Sequence, residues 1–152
     1  MKYYIIEPEV SGGIGENTIY EENSNSSILH LHFIFDGWLG DHLLEITPCF
    51  MISEYLKNVI ENNDLSGCEI QDMEVSFSDE FYEFEKLYDK REIPQFYRLI
   101  PSKIYNKGID LNMSDMKDFM IDEKNYLIVS EKAKKIMELN GFINHADFEL
   151  LF

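Results

Sequence analysis

Basic residues are scarce in this chain of 152 residues, which carries 13 lysines and arginines against 29 aspartates and glutamates. The formal net charge of −16 repels nucleic acids and anionic membrane surfaces, whereas it steers basic partners toward the protein. The deficit is greatest between positions 1 and 76, where Lys2 and Lys57 are the only lysines or arginines. We therefore predict no nucleic-acid and no membrane partner, although acidity that only keeps a protein dissolved would give the same composition.

Cysteine and long apolar runs are also lacking. Cys49 and Cys68 are too few for the disulfide framework of a small secreted domain, and both have apolar or small neighbours, so we interpret them as buried free thiols. No apolar run approaches the length that spans a membrane. The four residues YYII after Lys2 are too short for the apolar core of a signal peptide. Together these absences predict a reducing, cytoplasmic location.

The sequence signatures of common active sites are missing as well. No Gly-x-Ser-x-Gly elbow occurs, and the acidic surroundings of Cys68 raise a thiol pKa, which disfavours a nucleophile. The glycine-rich residues 12–17 lack the Gly-Lys-Ser/Thr of a phosphate-binding loop and carry Glu16, so we interpret them as part of a mobile loop over 7–18. Carboxylate pairs are too common here to single one out. We therefore predict that the protein is not an enzyme and holds no cofactor.

His30, His32 and His42 form, with Asp36 and Asp41, the one cluster of metal-ligand residue types in the sequence. A strand would place His30 and His32 on the same face, as a metal site needs, and Asp41 or His42 could supply a third ligand. Histidines that are hydrogen-bonded within the domain are the alternative. We assign no metal ligands, and a metal-dependent enzyme that uses His30, His32 and His42 is kept as an alternative function.

Two similar sequence segments, which we call the repeated phrase, occur in the chain: MISEYLKNVIENN at 51–63 and IVSEKAKKIMELN at 128–140. In each copy an apolar stretch precedes Ser53 or Ser130, and a serine followed by glutamate is a favourable helix start. Apolar residues then recur at helical spacing. We therefore interpret the two serines as helix caps rather than nucleophiles. Duplication or convergence on the same cap would explain the repeat.

The pattern along the chain predicts a single α+β domain over 1–152, with a mixed or mostly antiparallel sheet and a few packed helices. Two similar strand–helix–strand units, 49–77 and 126–152, would form its skeleton. The predicted strands cover 2–6, 27–35, 49–52, 68–77, 95–100 (ended by Pro101), 126–129 and 146–152. Besides the two capped helices, helices are predicted over 78–92 and over 114–120, the latter capped by Ser114.

An acidic and aromatic segment, residues 77–88, is the best candidate for a partner-binding surface. Phe77, Phe81, Phe84 and Tyr88 could share one helix face, and acids lie largely elsewhere. Aromatic anchors ringed by acids suit a basic partner, although aromatics that enter the core are the alternative. The predicted partner-binding residues are Trp38, Asp41, Asp72, Glu74, Asp79, Glu80, Glu83 and Glu85.

Four stretches follow one another in the last two-thirds of the chain: LSGCEIQDMEVSFS, REIPQFYRLIP, GIDLNMSDMKDF and NYLIVSEKAKKIMELNGFINHADFELL. The series resembles a family of small immunity proteins of bacterial polymorphic toxin systems. The C-terminal halves of that family have Asp-Phe, an apolar strand ending in Val-Ser-Glu or Val-Ser-Asp, a helix and a final strand. The resemblance covers roughly 46–152, and the matching positions are Asp118, Phe119, Val129, Ser130 and Glu131.

The resemblance implies a cytoplasmic protein that binds and neutralises one cognate toxin domain, often a nuclease, and it implies no catalytic residues. The net negative charge agrees with this function, because an acidic inhibitor associates rapidly with a basic active site that binds phosphates. We therefore predict an immunity protein whose partner is a basic toxin. A metal-dependent enzyme, or an adaptor or regulatory domain with another partner, is the alternative, and the oligomeric state stays open.

Overall fold

The computed structural model of the chain describes residues 1–23, 27–87, 92–104 and 115–152. These residues form three helices and thirteen strands, an α+β fold as predicted. The helices are α1 (Glu54–Asn62), α2 (Asp79–Glu85) and α3 (Glu131–Leu139). The strands are β1 (Tyr3–Glu7), β2 (Gly12–Ile14), β3 (Ile19–Tyr20), β4 (Ile28–His30), β5 (His32–Phe35), β6 (Leu43–Ile46), β7 (Cys49–Ser53), β8 (Cys68–Gln71), β9 (Glu74–Phe77), β10 (Phe96–Lys103), β11 (Phe119–Ile121), β12 (Leu127–Ser130) and β13 (Asp147–Leu150).

Most strands belong to one mixed sheet of eight strands. Its order is β13-β1-β12-β11-β10-β7-β6, and β8 pairs with β10 beside this path. All of these pairings are antiparallel except β10 with β11, which is parallel. A three-stranded sheet, β2-β5-β9, and the β3-β4 pair complete the described part. The predicted mixed or mostly antiparallel sheet is confirmed.

β7 is buried on both faces, which explains its continuous apolar sequence. Successive side chains of a strand point to opposite faces. Phe50 and Ile52 accordingly join one core, which α1 and α3 cover, whereas Cys49 and Met51 join a second core. The strand therefore connects two of the three hydrophobic clusters that the described residues form.

Phenylalanine rings fill the second core. Phe35 of β5 lies at its centre, with ring centroids 4.9 Å from Phe33, 5.6 Å from Phe77 and 5.1 Å from Phe96. Phe81 of α2 completes the group, 4.6 Å from Phe77, and is fully buried. Each buried phenylalanine contributes about 1.5–3 kcal/mol through the hydrophobic effect. The rings therefore fix α2 to the three-stranded sheet.

The predicted helix caps are confirmed. Ser53 Oγ accepts from the Leu56 N–H at 3.2 Å, and Ser130 Oγ accepts from the Ala133 N–H at 3.0 Å. Each serine side chain also contacts the residue opposite it in its hairpin, His42 for Ser53 and Asp118 for Ser130. No helix among the described residues has the length and apolar character needed to cross a membrane.

Two predicted strands are interrupted, and one predicted loop is a strand. Residues 27–35 divide at Leu31 into β4 and β5, which pair in different sheets. Residues 68–77 likewise divide into β8, which belongs to the eight-stranded sheet, and β9, which belongs to the three-stranded sheet. The prediction of an unbroken strand is therefore wrong for both stretches. Gly12 belongs to β2, which pairs with β5, and glycine is needed there because a Cβ would collide with Ile34 O. The prediction of a mobile loop is therefore wrong over Gly12–Ile14.

Other element boundaries also differ from the predictions. Strand β10 continues past Pro101, since Ser102 N–H donates to Gly67 O at 2.8 Å. The helix predicted over 114–120 is wrong at its end, where β11 pairs with both β10 and β12. Ser114 lies outside the described residues. Helix α2 ends at Glu85, earlier than predicted, and Tyr88 is outside the described residues.

Replacing Ser130 with alanine should lower the free energy of unfolding by about 1–3 kcal/mol, because a helix cap and a bond to Asp118 are lost together. Urea denaturation measures the change. Ser102, which is exposed and makes no side-chain hydrogen bond to another described residue, is the matched control. Ser102→Ala should change the stability by less than about 0.5 kcal/mol. Equal small effects of both substitutions would contradict the capping role.

Candidate functional site

Helix α2 presents an acidic and partly aromatic surface to solvent. Ser78 caps the helix, its Oγ accepting from the Phe81 N–H at 3.1 Å. Phe81 is buried in the second core, and most of the other residues of the helix are exposed. We call this the α2 surface, and its exposed residues are Asp79, Glu80, Tyr82, Glu83 and Phe84.

The aromatic residues of this segment divide between core and surface. Phe77 and Phe81 pack in the second core, as the alternative interpretation expected. Tyr82 remains 54% exposed and Phe84 39% exposed, so both offer apolar area to a partner. Phe77, Phe81 and Phe84 were expected to share one helix face. Phe84 is instead exposed while the other two pack in the core, so this expectation is wrong for the described residues.

Charge on the α2 surface is mostly uncompensated. Glu83 pairs with Lys86, with 2.9 Å between Oε1 and Nζ. Asp79 and Glu80 have no cationic partner within ion-pair distance among the described residues. Glu85, also predicted to bind a partner, is half-buried. The surface is therefore negative and open to solvent at the first turn of the helix.

The remaining predicted partner-binding residues lie on other elements. Asp72 is exposed between β8 and β9. Glu74 begins β9, and its carboxylate accepts from Asn17 Nδ2 at 2.7 Å and contacts His30 Nε2 at 3.3 Å. The hydrogen bond from Asn17, and after it the contact with His30, holds the pKa of Glu74 below its ordinary value. Glu74 therefore serves contacts within the protein, whereas Asp72 is open to solvent.

His30 and His32 both reach Glu74, but His42 lies elsewhere. His32 is buried, and its Nδ1 accepts from the Asn17 N–H at 3.1 Å, so the ring proton belongs on Nε2, 2.8 Å from Ser76 Oγ. His42 Nδ1 contacts Ser53 Oγ at 2.6 Å. In the part of the chain that is described, none of the three histidines belongs to a group of three close metal-ligating residues. His30 and His32 therefore share a contact with Glu74, and His42 does not join them.

Trp38 and Asp41 meet at a cluster that the sequence did not reveal. Trp38 is 48% exposed, and its Nε1–H donates to Glu9 Oε1 at 2.9 Å. Asp41 is buried, and its carboxylate accepts from the His145 N–H at 2.8 Å. Trp38 is therefore accessible to a partner, whereas Asp41 is occupied within the fold.

Glu9, Asp41 and His145 form what we call the carboxylate–histidine cluster. Their ligand atoms all lie within 4.8 Å of one another, with His145 Nδ1 3.1 Å from Asp41 Oδ1 and 3.5 Å from Glu9 Oε2. The hydrogen bond to Asp41 and the charges of both acids raise the pKa of His145. Glu9 and His145 were missed because their separations from Asp41, 32 and 104 positions, leave no local pattern in the sequence.

Nucleophilic chemistry has little support among the described side chains. Ser53 is fully buried, and its Oγ is occupied by the helix cap and by His42. Burial, followed in importance by the charge of Asp118, raises the pKa of Cys68 to about 11. Burial also raises the pKa of Cys49. Both cysteines are free, as predicted, although Cys68 is only partly buried.

Comparison with protein-family models, with curated proteins and with solved structures finds no match for this chain.

The thiol of Cys68 should react slowly in the folded protein. A pKa of about 11 leaves roughly a hundredfold less thiolate at pH 8 than the ordinary value of 9.0 would. Labelling with iodoacetamide at pH 8, followed by mass spectrometry, should show slow modification in buffer and fast modification in urea. Equal rates under both conditions would contradict the raised pKa.

The carboxyl of Glu74 should titrate below the ordinary range of glutamate. A lowered pKa in the folded state contributes stability above the ordinary pKa, and that stability is lost as pH falls through the lower folded value. Carbon-13 NMR of the side-chain carboxyl measures the pKa, and Asn17→Ala should raise it. Asn58→Ala, on the exposed face of α1, is the control and should leave it unchanged. An unchanged Glu74 pKa in Asn17→Ala would refute the assigned cause.

Proposed function

We propose that the protein is an immunity protein, which binds a cognate bacterial toxin domain in the cytoplasm and neutralises it by stoichiometric inhibition. The partner would be basic, as a nuclease is. The observation that carries the proposal is the α2 surface, where two acids without a cationic partner among the described residues, Asp79 and Glu80, lie on the same core-anchored helix as the exposed side chains of Tyr82 and Phe84. The resemblance of residues 46–152 to such immunity proteins supports the same function.

The α2 surface has the properties of an interface that needs little rearrangement. Phe81 is fully buried and packs on Phe77, so the helix is held before any partner arrives. Tyr82 offers a rigid, amphipathic anchor of the kind that dominates binding energy. Asp79 and Glu80 carry charges that would accelerate encounter with a basic active site. Affinity would come mainly from the aromatic side chains and speed from the acids.

Trp38 lies on the loop that the start of α2 contacts. The Ser78 N–H donates to Phe35 O at 2.9 Å, and Ser78 Oγ donates to Asp36 O at 2.5 Å. These bonds tie the start of α2 to the loop that carries Trp38, two residues beyond Asp36. We include the indole in the proposed interface as a second aromatic anchor, because tryptophan is enriched among the residues that dominate binding.

We further propose that the repeated phrase marks two similar units produced by duplication. The N–H groups of Glu54 and Glu131, each following a capping serine, donate to Gln95 O and Lys2 O at 2.8 and 2.9 Å. Strand order agrees, since β10 lies between β7 and β8 as β1 lies between β12 and β13. The ends of α1 and α3 also agree, with Leu65 N–H donating to Ile60 O and Phe142 N–H to Met137 O. The repeat then supplies scaffold, and the unrepeated α2 supplies function.

Co-expression with the toxin encoded beside its gene tests the function directly. The protein should restore growth and co-purify with the toxin in a one-to-one complex. Failure of both would refute the proposal. A complex without protection of growth would favour an adaptor domain instead.

Charge reversal tests the proposed surface. Glu80→Lys with Glu83→Lys should reduce the association rate with the toxin at least about tenfold at low salt, because favourable steering is removed. Surface plasmon resonance at several salt concentrations measures it. The control, Glu123→Lys with Glu149→Lys, changes net charge equally at exposed positions outside α2. Equal effects of the two double variants would show that net charge alone steers the partner.

A further inference from the structure

The carboxylate–histidine cluster holds two carboxylates that are largely withdrawn from water. The side chain of Asp41 is 4% exposed and that of Glu9 is 15% exposed. Close, poorly hydrated anions require a compensating positive charge. Within the described part of the chain, no lysine or arginine lies within ion-pair distance of either carboxylate, and His145 is their ionic partner. One imidazole supplies at most one positive charge against two negative charges.

The hydrogen bonds of the cluster hold the two carboxylates in place. Glu9 Oε2 accepts from the Asp41 N–H at 2.8 Å, while its Oε1 accepts from Trp38. Asp41 Oδ2 accepts from the His145 N–H at 2.8 Å. The backbone and the indole therefore orient the acids, so the arrangement does not depend on the imidazole alone. Positioning of ligands by such outer contacts is a property of metal sites.

A buried hydroxyl beside the cluster gives an independent indication of a ligand. Ser11 is 1% exposed, and its Oγ has no hydrogen-bond partner among the described residues. Ser11 Cβ and Glu9 Oε2 each lie 3.1 Å from the point that a Cβ at Gly40 would occupy. The Cδ2 methyl of Leu44 lies 3.0 Å from the same point, so the serine side chain and the carboxylate are close neighbours beside Gly40. A buried hydroxyl normally has a partner, and a water bound to an ion there would supply one.

We propose that Glu9, Asp41 and His145 bind one divalent transition-metal ion, whose charge balances the two carboxylates. Tetrahedral zinc, with ligands at about 2.0–2.2 Å, needs ligand atoms about 3.3 Å apart. The distances of 3.1 and 3.5 Å from His145 Nδ1 to the two acids are close to that value. An imidazole with two carboxylates suits zinc or manganese, whereas magnesium and calcium prefer oxygen ligands alone.

The ion would join three segments that are distant in the sequence. Glu9 follows β1, Asp41 precedes β6, and His145 precedes β13. Trp38 reports on this site, because its Nε1–H donates to Glu9 and it is the only tryptophan in the chain. Metal binding does not require the proposed toxin partner and can be tested on the isolated protein.

Titration of EDTA-treated, dialysed protein with zinc chloride tests the proposal, followed by Trp38 fluorescence and by calorimetry. We expect one equivalent to bind saturably and to raise the thermal unfolding midpoint, with manganese binding more weakly and magnesium giving no saturable signal. His145→Ala, at a side chain 68% exposed, should weaken zinc binding at least about tenfold and abolish the shift in the midpoint.

His30→Ala is the matched control, because His30 is a partly exposed histidine that also contacts a glutamate. Its zinc affinity should stay within about twofold of the unsubstituted protein. Asp41→Asn provides a second variant, and circular dichroism confirms that each variant is folded. Absence of saturable binding in the unsubstituted protein would overturn the proposal. Binding that survives His145→Ala but is lost in His30→Ala would also overturn it, by placing the ion at Glu74.

Discussion

The burial of β7 on both of its faces is the constraint on which the rest of the structure depends. One face completes the core beneath α1 and α3, and the other completes the phenylalanine core beneath α2. A single strand thereby couples a scaffold of capped helices to the element that carries the α2 surface. Since each face packs against side chains from distant parts of the chain, neither core is complete without the other elements of the sheet.

The proposed function rests on a difference between α2 and the other two helices. Helices α1 and α3 each bury two residues, and each carries an internal lysine–glutamate pair, Lys57–Glu61 and Lys134–Glu138. Helix α2 buries Phe81 and leaves acids at its first turn without a cation among the described residues. Rigid anchoring and uncompensated charge are the two properties that would suit α2 to the proposed basic partner, because little conformational entropy would be lost on binding.

Local physics made part of this structure predictable. Ser53 and Ser130 were identifiable because a helix cap is decided within four residues. The strand breaks at Leu31 and at residues 72–73 could not be predicted, because an apolar stretch has the same sequence pattern whether it belongs to one sheet or to two. Pairings between distant segments were also hidden, and the contact of Glu9 and His145 with Asp41 is the clearest case. Tertiary pairing, rather than propensity, decides these features.

Hydrogen–deuterium exchange of the protein, alone and bound to the toxin encoded beside its gene, locates the surface that binds the toxin. If α2 carries the interface, binding slows exchange in α2, from Asp79 to Glu85, and in the loop around Trp38. Exchange in α1 and α3 should change little. Protection confined to α1, α3 or the β13 edge, with none in α2, would refute the proposed role of α2.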